Sequence, residues 1–266
     1  MEKILLIFTN PYPSIFILSS WYVFFNSKRL INFIFSFIFI NGAFNSGLKF
    51  LSKIPLHESL NNPCWYSFPS GHMQYATVFW GIIWLHNQYN IKLLIIIILF
   101  LITGGWAMQA NNYHTLFEMI CAIPFAITVI YIYCITVKRI NFSKNNLVWI
   151  NITSIGIQLT TLSILESPCQ YYKFSWMWLN IGANIGFMIQ SLIVQEKTEN
   201  IIQEIKIMLR SPLLYCIFLL IITELVITYS IINIYKTEIA NLLSGILLTN
   251  MLFLTSKLYQ KLLPNG

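Results

Sequence analysis

The chain contains no aspartate. Its nine acidic residues are all glutamate, and only 9% of its 266 residues are charged, against about 25% in an ordinary soluble domain. Nothing in the composition gives a physical reason for the missing aspartate. The overall shortage of charge is more informative, because too few ionic groups exist to cover a water-facing surface. The same figures exclude a disordered segment, a nucleic-acid-binding arm and a secreted disulfide scaffold. Zinc-type spacing is missing as well: the five cysteines and four histidines form no Cys/His cluster, so neither a metal nor a cofactor is expected. No repeat of 20–50 residues and no low-complexity linker is visible. A cleavable leader is not expected either. Lys3 is followed by a five-residue apolar run, then by Pro11 and Pro13, with no small-residue cleavage site.

What the chain has in abundance is apolar side chains: 57% are hydrophobic and 16% aromatic. Each crossing of roughly 30 Å of hydrocarbon needs about 20 mostly apolar residues. The expected fold is therefore an all-α polytopic membrane helix bundle of about eight or nine spans. The apolar runs place them at Tyr12–Asn26, Leu30–Leu48, Met73–His86, Lys92–Gly105, Thr115–Val137, Leu147–Leu165, Phe174–Gln195, Leu213–Tyr235 and Ile239–Leu258. Residues 1–9 are short and amphipathic, as an interfacial segment would be. Alternating the loops between two sides puts eleven of the sixteen lysines and arginines on one side, including Arg29, Arg139 and Arg210. That side is expected to be cytoplasmic. The segment from Lys49 to Ser70 and the turn around Asn111–His114 then face outward together, because one helical hairpin separates them.

These two outward segments hold the residues with chemistry to offer. The first ends in Phe68-Pro69-Ser70-Gly71-His72, directly before an apolar helical run. Ser70 stands as an N-cap, and Gly71 lets a ligand approach the backbone closely. The N–H groups of a first helical turn attract anions, and a histidine at that mouth can protonate a leaving oxygen. A plain helix cap beside an incidental histidine would give the same letters. In the second segment His114 and Glu118 are four residues apart and share a helical face. A carboxylate on one imidazole nitrogen fixes the tautomer and makes the other nitrogen a better nucleophile. A surface His–Glu pair of little consequence is the alternative.

Taken together, these residues resemble the type 2 phosphatidic-acid phosphatase superfamily, which also contains the vanadium haloperoxidases. Its three motifs are K-x6-R-P, P-S-G-H and S-R-x5-H-x3-D. The second stands complete as Pro69-Ser70-Gly71-His72, within the run FPSGHMQYATVFWG of Phe68–Gly81. The run Asn45–Pro55 places Lys49 on the first motif's lysine. His114 falls on the third motif's nucleophile, and Glu118 stands where the family has aspartate. On the same alignment the first motif's Arg-Pro reads Leu56-His57, and the third motif's Ser-Arg reads Ala107-Met108. Both phosphate-gripping arginines are thus replaced, which marks a degenerate member.

The resemblance implies a six-helix-type phosphatase core carrying the motif residues within 1–140, and further spans of the same bundle over 141–266. It implies a lipid phosphatase of phospholipid metabolism, a hydrolase in a bacterial-type inner or plasma membrane with its site loops extracytoplasmic. A membrane lipid would be the substrate, with no nucleic acid involved. His114 would form a phospho-histidine, Glu118 would orient it, and His72 would protonate the leaving group. Lys49, Ser70 and Gly71 would bind the phosphoryl oxygens, with Lys53 and His57 as partial substitutes for the lost cations. Losing two such clamps, each commonly worth a hundredfold or more in rate, leaves two alternatives. One is a catalytically impaired pseudoenzyme that binds a lipid headgroup or a membrane partner. The other is a phosphodiester headgroup transferase, similar to the sphingomyelin synthases, which also lack those arginines.

Other residues have plainer readings. Cys64 and Cys169 fall on the outward side, where a disulfide would survive, while Cys121, Cys134 and Cys216 are read as packing residues. Glu224 lies within a span and is read as protonated or paired in the bundle. Asn180, Asn184 and Gln190 look like inter-helix hydrogen-bonding positions, and His86 an interfacial histidine.

Overall fold

Inside hydrocarbon every backbone N–H and C=O must find its partner within its own segment, and long apolar runs do so as helices. The computed structural model describes residues 9, 18, 28–55, 66–139, 144–164, 170–193 and 238–262. Among these it contains seven helices: α1 Lys28–Ser52, α2 Gly71–His86, α3 Ile91–Ala110, α4 Leu116–Arg139, α5 Lys144–Ile164, α6 Gln170–Ile193 and α7 Glu238–Leu262. No strand occurs among the described residues, only an isolated antiparallel bridge between Pro55 and Tyr66. The all-helical expectation holds. Three helical stretches are long and apolar enough to cross a membrane: Leu30–Ser52, α3 and α4. Of the runs read as spans, Leu213–Tyr235 and all of Tyr12–Asn26 but Leu18 lie outside the described residues.

One helix runs on where the sequence suggests a stop. The run Lys92–Gly105 ends on a glycine pair, but α3 continues to Ala110, and Asn111 N donates back to the Ala107 carbonyl. Glycine ends helices by letting water or a left-handed residue take the last carbonyls. Here Gly104 and Gly105 are buried and serve packing instead: a Cβ on Gly105 would lie 3.1 Å from the Met73 methyl.

The chain divides into two units. The first comprises Met1–Ser14, Phe37–Ile140 and Thr160–Cys169; the second comprises Ile15–Ser36, Asn141–Leu159 and Gln170–Gly266. In the first, α2 packs chiefly on α4. The α4 face Glu118, Met119, Ala122, Ala126, Val129 and Tyr133 is buried at helical spacing, and α2 buries Ala76, Val78, Phe79 and Ile82. Phe37 meets the Tyr133 ring edge-on at 5.1 Å, and the Tyr133 hydroxyl pairs with His86 Nε2 at 2.6 Å. The opposite faces of α3 and α4 leave Ile95, Ile102, Trp106, Phe117, Ile127 and Tyr131 about half to two-thirds exposed. An apolar surface of that extent suits lipid and not water.

In the second unit, α6 and α7 cross at glycines. A Cβ on Gly182 would collide with the Leu242 carbonyl, one on Gly186 with the Thr249 hydroxyl, and one on Gly245 with the Leu179 carbonyl. Close backbone approach through small residues is a standard way for helices to associate in lipid. The inter-helix reading of Asn184 and Gln190 is realised here: Asn184 Oδ1 lies 3.3 Å from Ser36 Oγ of α1, and Gln190 Nε2 donates to the Thr249 carbonyl of α7. For Asn180 the bond is not between helices: its carbonyl accepts from Asn184 Nδ2 within α6 itself.

Candidate active site

The segment leading into α2 is stitched to the end of α1. Ser67 N donates to the Ile54 carbonyl at 2.8 Å, Ser52 Oγ to the Phe68 carbonyl at 2.8 Å, and Lys49 Nζ to the Tyr66 carbonyl at 2.7 Å. Asn45 Nδ2 lies 3.5 Å from the Pro69 carbonyl, and the Phe68–Pro69 peptide is cis. Ser70 then caps α2 as the sequence suggests, its hydroxyl accepting from Met73 N at 3.3 Å. Its own N–H donates to the Glu118 carbonyl at 3.2 Å, which ties the start of α2 to the start of α4.

A ladder of amides holds α1 against α2 beneath this cap. Asn45 Nδ2 donates to Gln74 Oε1 and Gln74 Nε2 to Asn41 Oδ1, both at 2.8 Å, and all three side chains are buried. The ladder accounts for Gly71. A Cβ there would sit 2.9 Å from Asn45 Oδ1 and 3.6 Å from Lys49 Cε. The absence of a side chain at 71 is what lets Asn45 and the Lys49 stem reach the helix start.

Glu118 closes the other side. Its Oε2 lies 3.1 Å from His114 Nδ1 and accepts from Thr115 N at 3.0 Å, while Glu118 N lies 3.3 Å from Thr115 Oγ1. Thr115 and Glu118 thus form a capping box. With Nδ1–H donated to Glu118, the tautomer assigned to His114 leaves Nε2 as the nitrogen that carries the lone pair.

The two histidines converge: the rings of His72 and His114 have centroids 6.0 Å apart. Lys49 stands close enough to act on both. His72 keeps an exposed surface, yet the surrounding protein and the Lys49 charge push its pKa from 6.5 to about 4. His114 is buried, and burial, Lys49 and His72, in that order, outweigh the support of Glu118 and bring it also to about 4. At neutral pH both rings are uncharged.

All six residues singled out from the sequence, Lys49, Ser70, Gly71, His72, His114 and Glu118, therefore lie around one spot. Other expectations fall elsewhere. The Lys53 ammonium sits 5.1 Å over the Phe50 ring. Leu56, His57, Cys64, Cys169, Cys216 and Glu224 lie outside the described residues. Ala107 and Met108, the positions aligned with the family's Ser-Arg, are fully buried, and Met108 belongs to an apolar cluster with Met73, Met119 and Ala122. Two members of that cluster, Met73 and Met119, directly follow His72 and Glu118 in the chain.

Sequence reading missed Asn41, Asn45, Gln74, Ser67 and Thr115. Two signals were present: a polar side chain inside an apolar span, and the T-x-x-E spacing of Thr115 and Glu118. No group of three or more His, Cys or Glu side chains that could hold a metal ion occurs among the described residues. In comparisons with known proteins, this chain matches no family model, no curated protein and no solved structure.

Proposed function

We propose that this chain is an integral membrane lipid-phosphate phosphatase, acting on a phosphatidic-acid or polyprenyl-diphosphate type of substrate at the extracytoplasmic face. In this reading it is a degenerate relative of the type 2 phosphatidic-acid phosphatases, built of eight or nine spans in a bacterial-type plasma membrane. The observation that carries the proposal is the His114–Glu118 pair facing His72 across 6.0 Å, with Lys49 acting on both rings. An anion entering between them meets the Lys49 ammonium and the N–H groups of the first turn of α2.

The chemistry balances as follows. His114 Nε2 attacks phosphorus and the bond to the leaving oxygen breaks, giving a phospho-histidine whose Nδ1–H stays on Glu118. The incoming negative charge raises the pKa of His72, which takes up a proton and passes it to the leaving oxygen. Water then attacks the phospho-histidine, gives its proton to His72, and inorganic phosphate departs. Keeping His114 neutral keeps its lone pair free, which is what a nucleophile requires.

Met108 favours a second reading. Met108 is 1% exposed within an apolar cluster, so this position supplies no charge to a doubly charged monoester. A singly charged phosphodiester needs less neutralisation, and transfer of a headgroup to a lipid hydroxyl would use the same two histidines. Purified full-length protein incubated separately with phosphorus-32-labelled phosphatidic acid and a headgroup-labelled diester, then quenched in alkali, tests both. Acid-labile label on the wild-type chain from the monoester supports the phosphatase. Label from the diester alone supports the transferase. No label and no released phosphate from either would leave a lipid-binding pseudoenzyme and refute both catalytic readings.

A further inference from the structure

Asn41, Asn45 and Lys49 follow one another at four-residue steps along α1, so they form a ridge on one face of the helix. Opposite them stand Gly71 and Gln74 of α2, three residues apart and likewise on one face. The two buried asparagines grip Gln74 from either side: Asn45 Nδ2 donates to its Oε1, and its Nε2 donates to Asn41 Oδ1, both at 2.8 Å. Asn45 also lies against the start of α2. Its Oδ1 is 2.9 Å, and the Lys49 Cε 3.6 Å, from the place a Cβ on Gly71 would take. The next step along the ridge is Lys49 itself, half-buried, whose ammonium donates to the Tyr66 carbonyl at 2.7 Å.

A ladder of this kind is a poor choice for packing alone. Apolar side chains of the same shape would hold two helices about as well, because buried hydrogen bonds gain little over the hydration they replace. What satisfied amides add is a single register. Both rungs close at one height of α1 on α2, and a slide of one residue, about 1.5 Å along the axis, would stretch them beyond hydrogen-bond length. Lysine needs such help. Its four-carbon stem is flexible and its ammonium is a point charge, so the charge is placed no better than the helix that carries it.

We infer that Asn45 and Gln74 are positioning residues, which set the height of α1 on α2 and thereby hold the Lys49 ammonium beside His72 and His114. This role rests on the proposed catalytic site, whereas its test reads protons on the rings and needs no turnover. Among the described residues, the charged and titratable groups that bear on these rings are Lys49, Glu118 and the rings themselves. With both pKa values at about 4, the two rings are expected to be about nine-tenths neutral at pH 5. Full-length protein in detergent, labelled with nitrogen-15 histidine and assigned through His72→Gln and His114→Gln, gives that share by NMR. Lys49→Met removes the charge and is expected to raise both values by about one pH unit, leaving the rings about half protonated at pH 5. Gln74→Met breaks both rungs and is expected to raise the protonated share about twofold or more, yet to add nothing in a Lys49→Met background. A wild-type share in folded Gln74→Met would overturn the inference, as would an unchanged share in Lys49→Met. An equal rise with and without Lys49 would also overturn it, being the mark of a general loosening. Asn45→Ser, a milder change that withdraws the amide from Gln74, is read in the same way if Gln74→Met fails to fold. Failure of the wild type to turn over any lipid phosphate would refute the catalytic reading alone.

Discussion

Glu118 commits one carboxylate oxygen, Oε2, to two partners, the His114 ring and the Thr115 N–H, so substitutions there separate catalysis from folding. Glu118→Gln keeps an oxygen for both and removes the charge that supports an imidazolium. It is expected to lower kcat by about a hundredfold or more while leaving Tm nearly unchanged. Glu118→Ala also loses the helix cap and is expected to lower stability by about 1 kcal/mol further, read from chemical denaturation. The histidines give a pH signature. Both have pKa values lowered from 6.5 to about 4, so between those values the unfolded chain binds more protons than the folded one. Stability is then fully present above about pH 6.5 and falls as the pH drops toward 4. Tm measured from pH 7.5 to 4.5 is expected to fall more steeply for wild type than for the His72→Gln/His114→Gln double variant. At this scale the sequence was readable where chemistry is local. The cap at Ser70 and the four-residue spacing of His114 and Glu118 declare themselves to anyone counting. Lys49 reaching the Tyr66 carbonyl does not, because a side chain crossing 17 positions leaves no periodic trace.

Among the helices, glycine marks three different demands. On α2, Gly71 makes room for Asn45. Gly71→Ala pushes a methyl to within 2.9 Å of Asn45 Oδ1 and breaks into the Asn45–Gln74–Asn41 ladder. The expected cost is about 1–3 kcal/mol, the usual range for stranding a buried polar group; a denaturation midpoint equal to wild type would show that the ladder yields freely. On α3, Gly104 and Gly105 look like a stop in the sequence, yet sit inside the helix because buried packing replaces solvent at those positions. On α6 and α7, Gly182, Gly186 and Gly245 let two backbones touch, and Gly182→Leu is expected to unfold the second unit's helix pair, seen as loss of Tm and protease resistance of that half. Helix existence was legible from apolar run length alone. Which polar residues would pair across helices was not, since Asn41, Asn45, Gln74, Asn151 and Ser36 are joined only by tertiary packing. Asn184 stood out because it is polar within an apolar run, but its partners did not.

The whole chain combines scarce charge with long apolar faces, and its membrane reading rests on that combination. Half-exposed isoleucines along α3 and exposed aromatics on α4 leave surfaces that lipid would cover. Asn112, at one end of the α3–α4 hairpin, and Arg139, at the other end of α4, are both exposed, and the proposed topology has them on opposite sides of the membrane. In a cysteine-free background on intact cells, a membrane-impermeant thiol reagent is therefore expected to label Asn112→Cys and to spare Arg139→Cys; the reverse pattern would turn the site to the cytoplasm. Charge scarcity also shapes the proposed chemistry, since Met108 lies in an apolar cluster where the resembling family has an arginine, and Lys49 is, among the described residues, a cation that bears on both rings. The central claim is that His114 is the group that attacks phosphorus. Turnover of a panel of lipid phosphates by wild type and by His114→Ala, both shown folded by equal Tm and gel-filtration behaviour, addresses it directly. Phosphate release or headgroup transfer by the wild type, abolished in His114→Ala, is the expected result. Turnover that survives in His114→Ala would contradict it.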